Sequence, residues 1–377
     1  MYTKEYKYKN NILKYNHCFK QIIREIPIDT KEIITNFEFN NYIDLVDIDL
    51  IKNLRTITFG HSYNKPINKL PESIKEINFD FEFNQNVDNL PPTLTHLTFG
   101  YCFNQKVDKL PPNLTHLTLG DNFNQYVDNL PESLTHLKFS WSKFNYLVDN
   151  LPKSLTHLTF NYNFNQKVDN LPQSLTHLTF NKYFNQKVDK LPKNLICLVF
   201  GEDFNQPVDN LPKNLSSLTF GRDFFRKVDY LPKKLTHLNF GFYYNVRVDY
   251  LPESLTHLTF EKYFNQPIDN LPPNLIYLSL GDIFTNSSDD FNQPINKLPK
   301  KITHLILGNN FNKSLDNLPE SLTHLILGSR FNMNLENLPA SLQNITIYNN
   351  KFKLIIKKPF GCIIENKRID YKYINKW

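Results

Sequence analysis

Residues 90–109 read Leu-Pro-Pro-Thr-Leu-Thr-His-Leu-Thr-Phe-Gly-Tyr-Cys-Phe-Asn-Gln-Lys-Val-Asp-Lys, and close copies fill the stretches on either side. The dipeptide Phe-Asn returns at Phe83, Phe103 and Phe123, then at Phe164, Phe184 and Phe204, so the step is 20 residues. A fixed period in the range of ~20–50 residues marks a solenoid, in which each unit packs on its neighbours only. One long array is therefore expected where a chain of 377 residues would ordinarily split into domains.

Within the unit, Leu97 and Phe99 alternate with His96 and Thr98, the period-two pattern of a short strand with one buried face. Leu94 buries as the chain enters the strand, and Phe103 and Val107 supply a second wall of the core. Nine of the ten glycines follow that strand directly, among them Gly100, Gly120, Gly201 and Gly328, and imply a sharp exit of the kind that positive φ permits. The recurrent Leu-Pro (Pro91, Pro111, Pro131, Pro152, Pro172) cannot donate to a ladder and must lie outside the sheet. A 20-residue unit also lacks the chain for a strand, a turn and a full helix. The fold predicted is mainly β, a curved parallel β-solenoid of about 20-residue rungs with an extended, non-helical convex side.

Aligning the strands gives 16 rungs, opening at Ile34, Leu54, Ile74, Leu94, Leu114, Leu134, Leu155, Leu175, Leu195, Leu215, Leu235, Leu255, Leu275, Ile302, Leu322 and Leu342. The division expected is an N-terminal cap over 1–30, the repeat array over 31–350 and a C-terminal cap over 351–377. Phe19, Ile22, Ile23 and Ile26 are spaced for a short amphipathic helix in the first cap. Leu354-Ile355-Ile356 and Cys362-Ile363-Ile364 suit closing strands in the second. The period lengthens by one residue at Ser140–Lys143, which predicts a bulge, and by seven near Ile283–Asp290, where an insertion is expected on one edge.

Two polar columns run along the array. Asn84, Asn104, Asn124 and their equivalents are expected to bond backbone groups at the bend, in their own coil and the next. Asp88, Asp108, Asp128 and theirs, two residues before Leu-Pro, are expected to make Asx-type bonds to the backbone two positions on.

Composition excludes more than it selects. Lys and Arg number 43 against 37 Asp and Glu, a net charge of +6 that leaves no strong footprint for nucleic acid. The opening Met1–Lys9 is charged with no apolar run behind it, so neither a signal peptide nor a membrane span is expected, and the cytosol is the expected compartment. Cys18, Cys102, Cys197 and Cys362 match no metal or disulfide spacing and read as reduced thiols.

Phe-Asn-Gln-Pro-Val at Phe204–Val208 and Phe-Asn-Gln-Pro-Ile at Phe264–Ile268 and Phe291–Ile295 resemble the signature of FNIP repeats. These are leucine-rich-repeat relatives found in social amoebae and in large viruses that infect amoebae. The Leu-Pro-x-x-Leu-x-x-Leu segment is also similar to the short repeats of bacterial leucine-rich effectors. The resemblance spans roughly 50–350. Lys106, Tyr126, Lys167 and Lys187 replace the signature proline without touching a core position. It implies a leucine-rich-repeat type of solenoid, and some relatives add an F-box, kinase or ubiquitin ligase domain, none of which is visible here.

The strand side chains that point away from the core form a column of His96, His116, His136, His157, His177, Cys197, Ser217, His237, His257, Tyr277, His304 and His324. A mostly Thr column (Thr98, Thr118, Thr159, Thr179, Thr219, Thr259) runs beside it. Stacked imidazoles could chelate a metal, but a linear column lacks convergent geometry, so neither a metal nor any other cofactor is expected. Protonating neighbouring imidazoles costs repulsion, so acid is expected to loosen the array or its binding. Discrimination between partners should come from positions that vary between rungs: Trp141, Tyr183, Arg222, Phe242, Tyr243 and Tyr263 at the bends, and the column breaks Cys197, Ser217 and Tyr277.

No singular nucleophile, base and orienter stands off the repeat, so an enzyme is not expected. The function expected is a scaffold that binds a protein partner, of unidentified kind, through the concave sheet and its bends, with no nucleic acid or membrane involved. The alternatives are a substrate-recognition adaptor for a ubiquitin ligase and, less favoured, a metal-binding or enzymatic use of the His column.

Overall fold

The computed structural model describes residues 52–67, 70–283, 291–348 and 356–367, with the strands at 6–9, 12–15 and 36–39 described by their backbone. It divides into two compact units, Met1–Phe184 and Asn185–Trp377. Among the described residues no helix occurs, and none long and apolar enough to cross a membrane.

The first unit holds β1 (Tyr6–Lys9), β2 (Ile12–Tyr15), β3 (Asn36–Phe39), β4 (Thr56–Phe59), β5 (Glu76–Phe79), β6 (His96–Thr98), β7 (His116–Leu119), β8 (His136–Phe139), β9 (His157–Thr159) and β10 (His177–Thr179). β1 and β2 pair antiparallel, and from β2 onward each strand pairs parallel with the next in chain order. The second unit holds β11 (Cys197–Val199), β12 (Ser217–Thr219), β13 (His237–Asn239), β14 (His257–Phe260), β15 (Tyr277–Leu280), β16 (His304–Leu307), β17 (His324–Leu327), β18 (Asn344–Ile347) and β19 (Ile363–Asn366), again parallel in sequence order. Each unit is thus a parallel β-solenoid. Every strand from β3 to β18 begins two residues after the rung opening read from the sequence.

One rung shows why the residues fold this way. Leu94, Leu97, Phe99, Phe103 and Val107 are all buried to 2 % exposure or less, which seals five apolar side chains per turn of chain. Burial of one such side chain is worth about 1.5–3 kcal/mol. The chain then turns three times. Phe103 N–H reaches the Gly100 carbonyl after the strand, a second turn falls at Asp108-Lys109, and Leu114 N–H bonds the Pro111 carbonyl at 3.1 Å before the next strand. Proline thus sits at a corner outside the sheet, on an outer wall of turns and extended chain.

The rungs are wedges. His96 and His116 rings lie 4.2 Å apart on the outward face of the sheet, whereas Phe103 and Phe123 lie 6.2 Å apart across the core. Within a unit the stack is therefore tighter on the His side, as a curved solenoid requires.

The glycines act differently from the expectation. Only Gly281 (φ 88°) and Gly361 (φ 77°) have positive φ. At Gly100, Gly120, Gly221, Gly241, Gly308 and Gly328 the reason is close approach: a Cβ on Gly120 would overlap the carbonyl of Gly100, and one on Gly221 that of Gly201. The Asp column also departs from its reading. Asp108, Asp128, Asp149, Asp189 and Asp249 accept from the side-chain amide of an asparagine one rung on, at 3.2–3.5 Å, so the carboxylates join rungs instead of closing their own turns. The Asn column meets its reading for the next coil: Asn104 N–H donates to Asn84 Oδ1 and Asn124 N–H to Asn104 Oδ1, each at 2.9 Å.

At the one-residue insertion Ser142 turns inward, fully buried, and its carbonyl accepts the side-chain amides of Asn161 and Asn163, while Trp141 is thrown outward at 69 % exposure. Of the longer insertion, Ile283 is buried, 284–290 lie outside the described residues, and the core resumes at Phe291. The predicted helix at Phe19–Ile26 also lies outside them, as do Leu354 and Ile355. Ile356 forms a parallel bridge with Leu335. Cys362 N–H bonds the Pro359 carbonyl as Leu342 N–H bonds Pro339, so buried Cys362 opens one more degenerate rung, ending in β19.

Candidate functional site

The outward face of the sheet is built by register. Because the strands pair without offset, His96, His116, His136, His157 and His177 fall in one line in the first unit, with centroid separations of 4.1–4.3 Å and near-parallel rings. In the second unit Cys197 and Ser217 are adjacent, and His237 stacks on His257 at 4.3 Å. Tyr277 follows at 5.8 Å, and His304 stacks on His324 at 4.4 Å.

A threonine precedes most of these histidines and holds the ring. Thr115 Oγ1 stands 2.9 Å from Nδ1 of His116 and 3.0 Å from the Thr95 carbonyl. That carbonyl already takes the N–H groups of Thr115 and His116, both at 2.9 Å. With its two lone pairs occupied, the hydroxyl proton is best spent on Nδ1, which leaves Nε2 as the N–H facing solvent. The same contacts recur at Thr95–His96, Thr135–His136, Thr156–His157, Thr176–His177, Thr236–His237 and Thr256–His257, and at Thr323–His324, where Nε2 meets the Asn344 amide nitrogen at 3.0 Å instead of solvent.

Stacking makes the charged ring unwelcome. Loss of solvation first, and neighbouring imidazoles second, hold His116, His136, His157, His257 and His304 below the usual histidine range. Among the described residues no group of three or more His, Cys, Asp or Glu side chains is placed to hold a metal ion. Cys102, Cys197 and Cys362 are free thiols.

The expected bend residues fall in two aromatic clusters beside the sheet. In the first unit Trp141 stacks on Tyr162 at 5.3 Å, Tyr183 meets Tyr162 edge-on at 5.1 Å, and Lys182 lies over both tyrosines. In the second, Arg222 donates to Tyr243 Oη at 3.0 Å and lies over that ring, Tyr243 stacks on Tyr263, and Lys262 covers Phe242 at 4.8 Å. The expected bend residues are thus gathered by unit, Trp141 with Tyr183, and Arg222 with Phe242, Tyr243 and Tyr263.

Sequence reading missed Tyr162, Lys182, Lys262 and the His61–Phe81–Tyr101 stack, whose rings lie 4.7 and 4.6 Å apart. All of these hold the position just after the strand exit, the one that Gly60, Gly100 and their equivalents precede. Reading that position down the whole array would have found them. Sequence reading also missed a cavity of about 400 Å³ in the second unit, where Phe242 and Tyr277 meet Glu261, Lys262, Ser279 and Asp282.

A family model for the FNIP repeat matches ten stretches between residues 63 and 350, several of them overlapping, which cover most of the chain. The chain belongs to the FNIP repeat family. Among solved structures it is similar to CroV588, a circular leucine-rich-repeat protein of a giant virus, with a TM-score of 0.79 and 38 % identity over 94 % of this chain and 55 % of that one. It therefore spans about half the length of that relative. YopM from Yersinia enterocolitica (TM-score 0.54, 21 % identity, 89 % of this chain and 80 % of that one) and InlJ from Listeria monocytogenes (0.53, 14 %, 81 % and 71 %) share the fold. No curated protein matches. These FNIP repeats put the signature Phe-Asn wholly to structural use, Phe in the core and Asn in the ladder that joins rungs.

Proposed function

We propose that the chain is a non-enzymatic scaffold that binds another protein through the outward face of the sheet and the bends beside it. The observation that carries this is the contrast between the two sides of each strand. Inward positions are sealed, while outward ones present long columns of half-exposed His and Thr edged by exposed aromatic and cationic side chains. Aromatic and Arg residues with accessible faces are the usual anchors of an interface. Membership of a repeat family and likeness to leucine-rich-repeat folds support a binding role over a catalytic one, since repeated columns offer no singular reactive group. On this reading residues 31–350 form the binding array, 1–30 and 351–377 cap it, and the work is done in the cytosol, where Cys102, Cys197 and Cys362 stay reduced.

Proximity labelling tests it, with the intact chain compared with a variant carrying Trp141→Ala, Tyr243→Ala and Tyr277→Ala. The expected result is loss of a discrete set of neighbours from the variant. Identical neighbour sets would remove these anchors from the interface.

A further inference from the structure

The cavity in the second unit falls at one of the breaks in the columns, where Tyr277 stands. β14, β15 and β16 contribute Thr259, Ser279 and Ile306 from the outward face, and Tyr277 replaces the column histidine. At about 400 Å³ it falls at the small end of ligand pockets (~300–1,000 Å³), enough for a long side chain and not for a folded element.

Its lining is aromatic, with Glu261, Asp282 and Lys262 as its charged groups. Glu261 and Asp282, from successive bends, both line it, as do the rings of Phe242 and Tyr277. Glu261 is exposed as a residue, yet crowding strips solvent from its carboxyl group and Asp282 adds repulsion, so its acidity is weakened. Among the described residues no cation lies within ion-pair distance of Glu261. The neighbouring Lys262 instead places its ammonium over Phe242 at 4.8 Å and Tyr263 at 5.1 Å. An anionic ligand would be repelled by the carboxylates, and a neutral one would leave Glu261 poorly compensated.

A cation answers both demands, and the planar guanidinium answers them better than an ammonium. It is more weakly hydrated, bonds carboxylates in pairs and stacks on rings. We propose that this cavity receives an arginine side chain of the partner protein, its guanidinium on the carboxylates of Glu261 and Asp282 and against the ring of Tyr277. The proposal rests on the scaffold reading above and gives the partner a required chemistry.

The test uses the full chain labelled at isoleucine δ1 methyls, because Ile283 and Ile306 line the cavity and report on it directly. The probes are the capped tripeptide Gly-Arg-Gly, its lysine counterpart and its citrulline counterpart, a neutral isostere. The arginine peptide is expected to shift both methyls saturably, the lysine peptide more weakly, and the citrulline peptide not at all. Glu261→Gln, which keeps the shape, is expected to weaken arginine binding about tenfold, as loss of a charge-assisted bond does. Asp282→Asn is a second variant for the same measurement, and an otherwise unchanged methyl spectrum shows that each variant is folded.

Equal shifts from citrulline and arginine, or full affinity in both variants, would overturn the proposal. In proximity labelling, neighbours lost from the Trp141/Tyr243/Tyr277 variant but kept by Glu261→Gln with Asp282→Asn would overturn it and leave the scaffold standing. Neighbours unchanged in both would overturn the two together.

Discussion

Oδ1 of Asn104 accepts the backbone N–H of Asn124 from the next rung at 2.9 Å, and Nε2 of Gln125 at 3.1 Å. The N–H of Asn104 meanwhile donates to Asn84. One amide oxygen thus satisfies a donor that the bend would leave without a partner, and copying the residue copies the solution. Asn104→Ala is expected to cost about 1–3 kcal/mol, the penalty for stranding a partly buried donor. Asn104→Asp, which keeps the acceptor, should cost less. Because repeat arrays open locally, hydrogen exchange is the check. The Asn124 amide should lose protection in the alanine variant while amides several rungs away keep theirs.

Two glycines separate space from backbone conformation. A Cβ on Gly120 would overlap the Gly100 carbonyl, and Gly120 does not have positive φ. Gly361 has φ +77° and nothing within 4 Å of an added Cβ. Gly361→Ala should therefore cost only the left-handed penalty of about 1–2 kcal/mol. Gly120→Ala must push neighbouring rungs apart and should cost more, at or above the ~1–3 kcal/mol typical of overpacking. Urea unfolding of the two variants side by side decides it, and an equal loss would mean that the rungs give way more easily than their packing implies.

How far the chain could be read follows from which forces are local to one rung. Leu97, Phe99 and Phe103 announce their burial by spacing, so the sixteen strands from β3 to β18 fall where the period puts them. The Asp column escapes a single-rung reading because its partners, such as Asn129 for Asp108, are 21 residues on and become neighbours only when rungs stack. The glycines escape it for the same reason, since the obstacle to a Cβ lies in the previous rung. The hairpin of β1 and β2 was legible and overlooked: Tyr-Lys-Tyr-Lys and Ile-Leu-Lys-Tyr flank Asn10-Asn11, two strand-like runs two residues apart. The outward columns follow from alternation alone, but the cavity needs Phe242, Glu261 and Asp282 aligned across a rung of altered length, which no single rung supplies.

The histidine column makes stability depend on pH. In the folded chain His116, His136, His157, His257 and His304 hold protons less readily than the ordinary value of 6.5, through lost solvation and then through each other. The unfolded chain therefore binds more protons in this range, and stability must rise with pH there. The contribution is complete above about pH 6.5 and is lost as pH falls toward the lowered folded values. Urea midpoints at about pH 7, 6 and 5 should fall together with pH. Replacing His116, His136 and His157 by serine, the residue that Ser217 already supplies in this column, should flatten the slope. An unchanged slope would place the titrating groups elsewhere.

Tyr244 is a local conflict in the core. Its ring takes the place held by Phe224 and Phe264 in the adjacent rungs, 5.9 and 6.4 Å away, and is fully buried. Its hydroxyl has no hydrogen-bond partner among the described residues, and burial pushes its acidity far down. A buried hydroxyl without a partner costs about 1–3 kcal/mol relative to an apolar group of the same shape. Tyr244→Phe removes the oxygen and keeps the stacking on Phe240 at 3.9 Å. The substitution is expected to raise stability by about 1 kcal/mol, seen as a higher urea midpoint with an unchanged slope. A loss of stability would mean that the hydroxyl is satisfied in solution, and with it that this rung opens enough to admit a partner for it.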